Sequence, residues 1–151
     1  ENIRMKLFAY GIALIVAGIS ISAAQAAEYE VKMLNRGEKG TMIFEPDFVK
    51  AEKGDVVRFV PTDKGHNVQS IKGMLPEGVE KFKTPYNEEF ALELTEDGYY
   101  GIKCSPHYPM GMVALISVGN PANEEQAKKA KNPPKARKLF KQLFEQAEGV
   151  N

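Results

Sequence analysis

The chain has 151 residues, of which 26% are charged, and its acidic and basic residues balance to a formal net charge of zero. This balance argues against a nucleic-acid-binding protein, because such proteins carry a strong excess of basic residues. One cysteine cannot form an intramolecular disulfide, and the length suits a single domain with its own hydrophobic core.

The N-terminal residues have the pattern of a secretory signal peptide. Arg4 and Lys6 precede an apolar run over residues 7–21, which is shorter than the roughly 20 residues that cross a bilayer as a helix. The sequence AQA at 24–26 supplies the small residues that precede a cleavage site. We therefore predict that residues 1–26 comprise upstream residues and a cleavable signal.

Residues 27–120 have the pattern of one β-sandwich domain. Short apolar or alternating runs are separated by glycine, proline and aspartate, as expected for strands joined by turns. The predicted strands lie at 29–34, 42–44, 48–51, 55–60, 67–71, 90–94, 99–104 and 113–118. About eight short strands at this spacing predict an all-β, two-sheet antiparallel sandwich, with a long irregular connection over residues 72–88.

Residues 121–151 differ in composition and predict two helices. Asn123 is a candidate N-cap, with Gln126 as its capping-box partner. A second helix is predicted after Pro133, because apolar residues recur there with i, i+3, i+4, i+7 spacing. The apolar face of this helix is too small for the helix to be stable on its own. We therefore expect the two helices to pack on the sandwich as an appendage of the same domain.

The strongest chemical signal is the segment 104–112, CSPHYPMGM. It holds the single cysteine, one of the two histidines and two methionines. Soft sulfur with imidazole nitrogen selects copper, and two His, one Cys and a distant axial Met describe an electron-transfer copper centre. His66 is the second histidine and the candidate for the remaining nitrogen. Because Tyr100, Ile102 and Cys104 alternate on one face of a predicted strand, the thiol is expected to point inward.

Two methionines compete for the axial position. Counted from Cys104 and His107, Met112 gives the spacing C-x2-H-x4-M and Met110 gives C-x2-H-x2-M. Both thioethers are chemically able to bind copper. The spacing alone leaves both assignments open.

Two other functions use similar residues. A copper delivery protein without a redox role typically has exposed Met/His clusters or cysteine pairs, and the chain has one cysteine and no methionine-rich tract. A zinc-stabilised module needs four close ligands, and a thioether is a poor fourth ligand for zinc. Copper delivery remains the alternative to electron transfer.

The segments 63–68, DKGHNV, and 103–112, KCSPHYPMGM, together with the two-helix tail, resemble the pseudoazurins, a family of periplasmic cupredoxins (type 1 copper proteins). The similarity extends over essentially the whole chain after the signal peptide, and it implies a cupredoxin-like Greek-key sandwich. The implied ligands of one Cu(I)/Cu(II) ion are His66, Cys104, His107 and, at longer range, Met112.

The same resemblance implies a function. Members of this family are soluble electron carriers of the periplasm rather than enzymes. They pass single electrons to redox proteins such as the copper-containing nitrite reductase of denitrification. We therefore expect a monomeric carrier that is free of the membrane after signal cleavage and docks a protein with an acidic surface.

Residues around the ligands acquire roles from the resemblance as well. The backbone N–H of Asn67 is placed to donate to the Cys104 sulfur, whereas Pro106 carries no N–H. His107 is the expected exit for electrons, and basic residues around it are expected to steer an acidic partner. The residues expected to dock the partner are Lys64, Lys103, Pro109, Met110, Arg36, Lys83 and Lys135.

Overall fold

The computed structural model describes residues 25–149. The predicted signal peptide at 1–26 therefore lies almost entirely outside the described residues. Within the described range, no helix is both long enough and apolar enough to cross a membrane.

The described residues form two four-stranded sheets. The strands are β1 Glu28–Gly37, β2 Gly40–Glu45, β3 Phe48–Ala51, β4 Val56–Val60, β5 Gln69–Ser70, β6 Phe90–Glu93, β7 Gly98–Lys103 and β8 Val113–Val118. The first sheet has the order β2-β1-β4-β6, and the second has the order β3-β8-β7-β5. Every predicted strand has a counterpart, so the predicted two-sheet β-sandwich is confirmed.

The sheets are mixed rather than antiparallel throughout, which corrects one detail of the prediction. Strand β1 pairs with β4 in parallel, and β3 pairs with β8 in parallel. The other neighbouring strands are antiparallel. The cause is topological, because β3 belongs to the second sheet and lies in the chain between β2 and β4 of the first sheet. The chain thus crosses to the second sheet and back before β4 pairs with β1, and parallel strands require a crossover connection of this kind. Apolar alternation does not reveal strand direction.

Strands β7 and β8 are buried on both faces. Their inner face meets the first sheet, where Ile102 and Ile116 belong to the main core together with Cys104, which follows β7. Their outer face is covered by the C-terminal helices, where Tyr99 and Leu115 belong to a second apolar cluster. A strand covered on both sides consists largely of apolar residues rather than alternating ones, and VALISV in β8 fits this rule.

Two helices follow the sandwich, namely α1 Glu124–Lys128 and α2 Pro134–Gly149. A short 3-10 helix, Tyr108–Met110, lies between β7 and β8. The buried residues of α2 are Ala136, Phe140, Leu143, Phe144 and Ala147. The Phe144 ring meets the Tyr99 ring edge-on with centroids 5.1 Å apart, so the predicted apolar stripe of α2 packs on the second sheet.

The predicted capping box at Asn123 is wrong. Its side chain makes no capping hydrogen bond to α1. Instead, Asn123 Oδ1 accepts from the backbone N–H of Tyr99 at 2.8 Å, and its Nδ2 donates to the Tyr99 carbonyl at 3.0 Å. The carboxamide therefore bonds both backbone groups of one residue in β7, which leaves it unavailable as a cap and ties the start of α1 to the sheet.

Candidate metal centre

Three of the predicted donor residues come together at one end of the sandwich. His66 lies in the connection between β4 and β5, Cys104 directly follows β7, and His107 precedes the 3-10 helix. The Cys104 sulfur is 3.7 Å from His66 Nδ1 and 3.5 Å from His107 Nδ1. One donor atom from each of the three residues lies within 4.8 Å of the others, which is compatible with shared coordination of one ion.

The Cys104 thiol is fully buried in the main core, as its alternation with Ile102 predicts. Burial raises the pKa of the thiol, while hydrogen bonds from the backbone N–H groups of Asn67 and His107 oppose this rise. Burial therefore favours the neutral thiol, and a positive charge nearby is needed to stabilise the thiolate. Pro106 has no N–H to offer, but the residue that follows it does.

His66 is also fully buried. Its ring is oriented through Nε2 by Asn35, a residue that the sequence analysis did not predict. Asn35 Oδ1 lies 2.8 Å from His66 Nε2, and the backbone N–H of Asn35 donates to Asp63 Oδ2 at 2.7 Å. Burial and the neighbouring His107 lower the pKa of His66, so the neutral ring is favoured. A neutral imidazole is the form that binds a metal.

His107 is the more exposed of the two histidines, being half-buried, and its ring centroid is 4.9 Å from that of His66. The loop that carries it is closed by its own backbone. The His107 carbonyl accepts the N–H of Met110 at 3.0 Å and that of Met112 at 3.2 Å. These bonds hold the imidazole at the surface end of the donor cluster.

The two methionines of this loop face different surroundings. Met112 is fully buried in the same core cluster as Cys104, and its carbonyl accepts the Cys104 N–H at 3.1 Å. Met110 is 48% exposed. Gly111 separates them with φ at 91°, a left-handed conformation that glycine adopts without strain. The Met112 thioether is therefore buried in the same core cluster as the Cys104 thiol, whereas the Met110 thioether is not.

Asn67 forms a second hydrogen-bond network with Ser105 and Gln69, two residues that the sequence analysis did not predict. Asn67 Nδ2 donates to Ser105 Oγ at 3.0 Å, and the backbone N–H of Ser105 donates to Asn67 Oδ1 at 2.8 Å. The Ser105 hydroxyl in turn donates to Gln69 Oε1 at 2.7 Å. These bonds connect the two segments that carry His66 and Cys104, and they hold the Asn67 backbone beside the sulfur.

The structure gives the surroundings of several predicted docking residues. The Lys103 ammonium lies 4.5 Å from the centroid of the Tyr108 ring, and burial together with the charge of Lys83 lowers the pKa of Lys103. Met110 and Lys135 line one groove between β2 and α2. The remaining predicted residues, all exposed, are Arg36, Lys64 and Pro109.

Comparison with known proteins shows that the chain is similar to copper-binding proteins. The family of copper binding proteins described as the plastocyanin/azurin family matches residues 31–119. A pseudoazurin from Paracoccus pantotrophus is 55% identical over 134 residues, which cover 87% of this chain and 92% of that protein.

Solved pseudoazurins share the fold. The crystal structure from Methylobacterium extorquens AM1 superposes with a TM-score of 0.77 at 46% identity, covering 80% of this chain and 98% of that one. Native pseudoazurin from Hyphomicrobium denitrificans gives a TM-score of 0.76 at 44% identity, covering 80% and 98% respectively. The chain therefore belongs to the plastocyanin/azurin family of copper-binding proteins, within its pseudoazurin group, and its cofactor is one copper ion.

Proposed function

We propose that this chain is a soluble periplasmic electron carrier whose copper ion is bound by His66 Nδ1, Cys104 Sγ, His107 Nδ1 and, more distantly, Met112 Sδ. The observation that carries the proposal is the grouping of one thiol sulfur and two imidazole nitrogens within 4.8 Å. Bound to such a set, copper alternates between its +1 and +2 states and supplies one-electron chemistry. None of the four residues is proposed to act as a catalytic acid, base or nucleophile, so we propose a carrier rather than an enzyme.

In the proposed mechanism, the protein keeps the donor residues in fixed positions. Copper(I) favours few, soft ligands, whereas copper(II) favours nitrogen and oxygen in a tetragonal arrangement. Cys104 and His66 are fully buried, and Asn35 fixes the His66 ring through Nε2. Because the packing and these hydrogen bonds keep one geometry, little rearrangement accompanies electron transfer.

Electrons are proposed to leave through His107, the half-buried ligand. Exposed Pro109 and Met110 provide an apolar contact beside it, and the basic residues around it attract an acidic surface. The partner that we propose is an acidic-surfaced redox protein, such as a copper-containing nitrite reductase of denitrification. The carrier is proposed to act as a monomer.

The burial of the ligands favours electron transfer over copper delivery. A delivery protein must release its ion to an incoming donor, which requires ligands that a partner can reach. The exposed fraction of His66, of Cys104 and of Met112 is 0%. This arrangement supports a retained ion that exchanges electrons.

The visible spectrum of the oxidised, copper-loaded protein tests the proposal. A thiolate bound to copper(II) gives an intense charge-transfer band, and Cys104→Ser should abolish it because a hydroxyl is not a soft, covalent donor. The variant should retain the circular dichroism of the β-sandwich. Purified protein that lacks the band and carries stoichiometric zinc would contradict the carrier function.

A further inference from the structure

Tyr108 joins the loop over residues 104–112, here called the ligand loop, to the C-terminal helices. Its hydroxyl donates to Asn132 Oδ1, 24 residues further along the chain. Its ring packs against the second apolar cluster, and the Lys103 ammonium lies 4.5 Å from the ring centroid. Tyr108 is thus held both at its ring and at its hydroxyl. Since His107 is the preceding residue, this restricts the backbone that carries the imidazole.

Asn132 lies between α1 and α2, and its carboxamide is oriented by other parts of the structure. Its Nδ2 donates to the Ala130 carbonyl at 3.1 Å and to Met74 Sδ at 3.7 Å. The nitrogen of a carboxamide donates hydrogen bonds and its oxygen accepts them. With the nitrogen engaged in this way, Oδ1 is the atom that accepts the hydrogen bond from Tyr108.

Met74 connects Asn132 to β7, the strand that leads to Cys104. The Met74 side chain is fully buried, and its backbone carbonyl accepts the Gly101 N–H at 2.7 Å. A Cβ built on Gly101 would lie 2.6 Å from Met74 Cβ, so this close approach requires glycine at that position. The contacts that begin at the Tyr108 hydroxyl therefore end on the strand that precedes the cysteine.

The first turn of α2 contacts the ligand loop at a second point. Gly111 ends the 3-10 helix and directly precedes Met112. A Cβ built on Gly111 would lie 3.5 Å from Lys135 Cβ and 3.7 Å from the Lys135 carbonyl oxygen. Because the buried stripe of α2 packs on the second sheet, this contact is fixed as well. The C-terminal helices thus contact the loop beside both His107 and Met112.

We propose that Tyr108 is a positioning residue for the copper site, and that its hydrogen bond to Asn132 keeps His107 in the place where copper binds. The inference rests on the proposed electron-carrier function and gives the C-terminal helices a part in it. The His107 imidazole is half-buried, and its loop is otherwise closed by backbone bonds of a short turn. With the Tyr108 bond in place, the loop opens less often, because opening also separates the hydroxyl from the carboxamide.

Amide hydrogen exchange in the copper-free protein measures this opening without any contribution from metal binding. The Met110 and Met112 N–H groups both donate to the His107 carbonyl, so they exchange when the ligand loop opens. Tyr108→Phe removes the hydroxyl and keeps the ring. It should speed the exchange of both amides about two- to tenfold, as expected when one hydrogen bond is lost. Wild-type exchange rates in this variant would overturn the proposal.

Transfer of copper(I) from the loaded protein to an excess of chelator provides a second measurement. Release from Tyr108→Phe should be faster by a similar factor, about two- to tenfold. Asn132→Ala should speed release at least as much, since it removes the acceptor. Adding Tyr108→Phe to Asn132→Ala should cause no further increase, because the bond between the two residues is already absent. Additive effects of the two substitutions would contradict the proposed role of this bond.

Tyr99→Phe is the matched control, because it also removes a tyrosine hydroxyl from the second apolar cluster. The Tyr99 hydroxyl is hydrogen-bonded to the Ser117 side chain, between β7 and β8 and outside the ligand loop. This variant should keep amide exchange in the loop and copper release within about twofold of wild type. Equal effects of Tyr99→Phe and Tyr108→Phe would assign the changes to general stability and overturn the proposal. A wild-type protein without the thiolate band would contradict the carrier function, whereas a normal band with unchanged rates in Tyr108→Phe contradicts the positioning role alone.

Discussion

The carboxamide oxygen of Asn35 lies 2.8 Å from Nε2 of His66. A carboxamide oxygen can accept a hydrogen bond and cannot donate one, so Nε2 carries the ring proton. Nδ1 then keeps its lone pair, and it faces the Cys104 sulfur at 3.7 Å. Asn35 itself is anchored through its backbone N–H to Asp63. The tautomer needed for the proposed binding of copper through Nδ1 is therefore set by the protein.

Asn35→Ala should weaken copper binding, because removal of the partner of a metal-bound histidine typically costs about 10- to 100-fold in affinity. Competition with a copper(I) chelator measures the change. Asn35→Asp is the matched control, since it retains an acceptor oxygen and should keep most of the affinity. Wild-type affinity in Asn35→Ala would show that packing alone orients His66.

Met112→Leu should retain copper and the thiolate band but raise the reduction potential. Leucine nearly conserves the volume of the buried side chain, while loss of the weak axial donor destabilises copper(II) relative to copper(I). Met110→Leu is the control, because Met110 is 48% exposed and should leave both spectrum and potential unchanged. Voltammetry decides between them. A shift in Met110→Leu without one in Met112→Leu would reverse the axial assignment.

Pro106→Ala restores a backbone N–H in the loop beside the Cys104 sulfur. The backbone N–H groups of Asn67 and His107 already act to lower the pKa of this thiol, and a further hydrogen bond would withdraw more negative charge from the thiolate. Because copper(II) depends more than copper(I) on the negative charge of the thiolate, this withdrawal destabilises copper(II) more, and the reduction potential should rise. Voltammetry of the variant against wild type provides the measurement, and an unchanged or lower potential would refute the argument.

Asn123→Ala should lower the free energy of unfolding by about 1–3 kcal/mol, because it leaves the backbone N–H and carbonyl of Tyr99 without their partners. Urea unfolding of the copper-free protein measures this change without a contribution from metal binding. Asn120→Ala, at an exposed position nearby, should stay within about 0.5 kcal/mol of wild type. Equal effects of the two substitutions would argue against the bridging role of Asn123.

Much of the fold could be predicted because strand positions depend on local sequence. The alternation that ends at Cys104 correctly predicted which face of β7 meets the main core, and the stripe in α2 predicted its packing on the sheet. Strand direction was missed because it depends on how distant segments cross between the sheets. The run at 67–71 contributes only Gln69–Ser70 to β5, since the Asn67 side chain bonds Ser105 and the Val68 N–H bonds Thr84 Oγ1.

The grouping of His66, Cys104 and His107 could be predicted from the sequence, whereas the residues that hold them in place could not. Cys104 and His107 are three positions apart, so one loop brings them together, and the chain has one other histidine. Asn35 reaches His66 across 31 residues of chain. Gln69 reaches Ser105 across 36 residues. Contacts of this kind follow from tertiary packing and leave no periodic signal in the sequence.

The last prediction concerns association with an acidic redox partner. If the basic residues near His107 steer docking, the second-order rate of electron transfer should fall as salt rises, since charges are screened over about 10 Å at 0.1 M. Charge reversal in Lys64→Glu or Lys103→Glu should slow association and leave the spectrum and potential little changed. Stopped-flow kinetics over a range of ionic strength separate association from the transfer step.

Lys138→Glu and Lys141→Glu supply the comparison, because both residues are exposed on α2 and change the net charge by the same amount. Steering depends on where the charge lies, so these variants should keep rates close to wild type at every salt concentration. Equal losses at all four positions would mean that net charge governs the encounter. A rate that does not depend on salt would point instead to the apolar contact at Pro109 and Met110. Substitution of Met110 by a charged residue would then lower the rate more than charge reversal at Lys64 or Lys103.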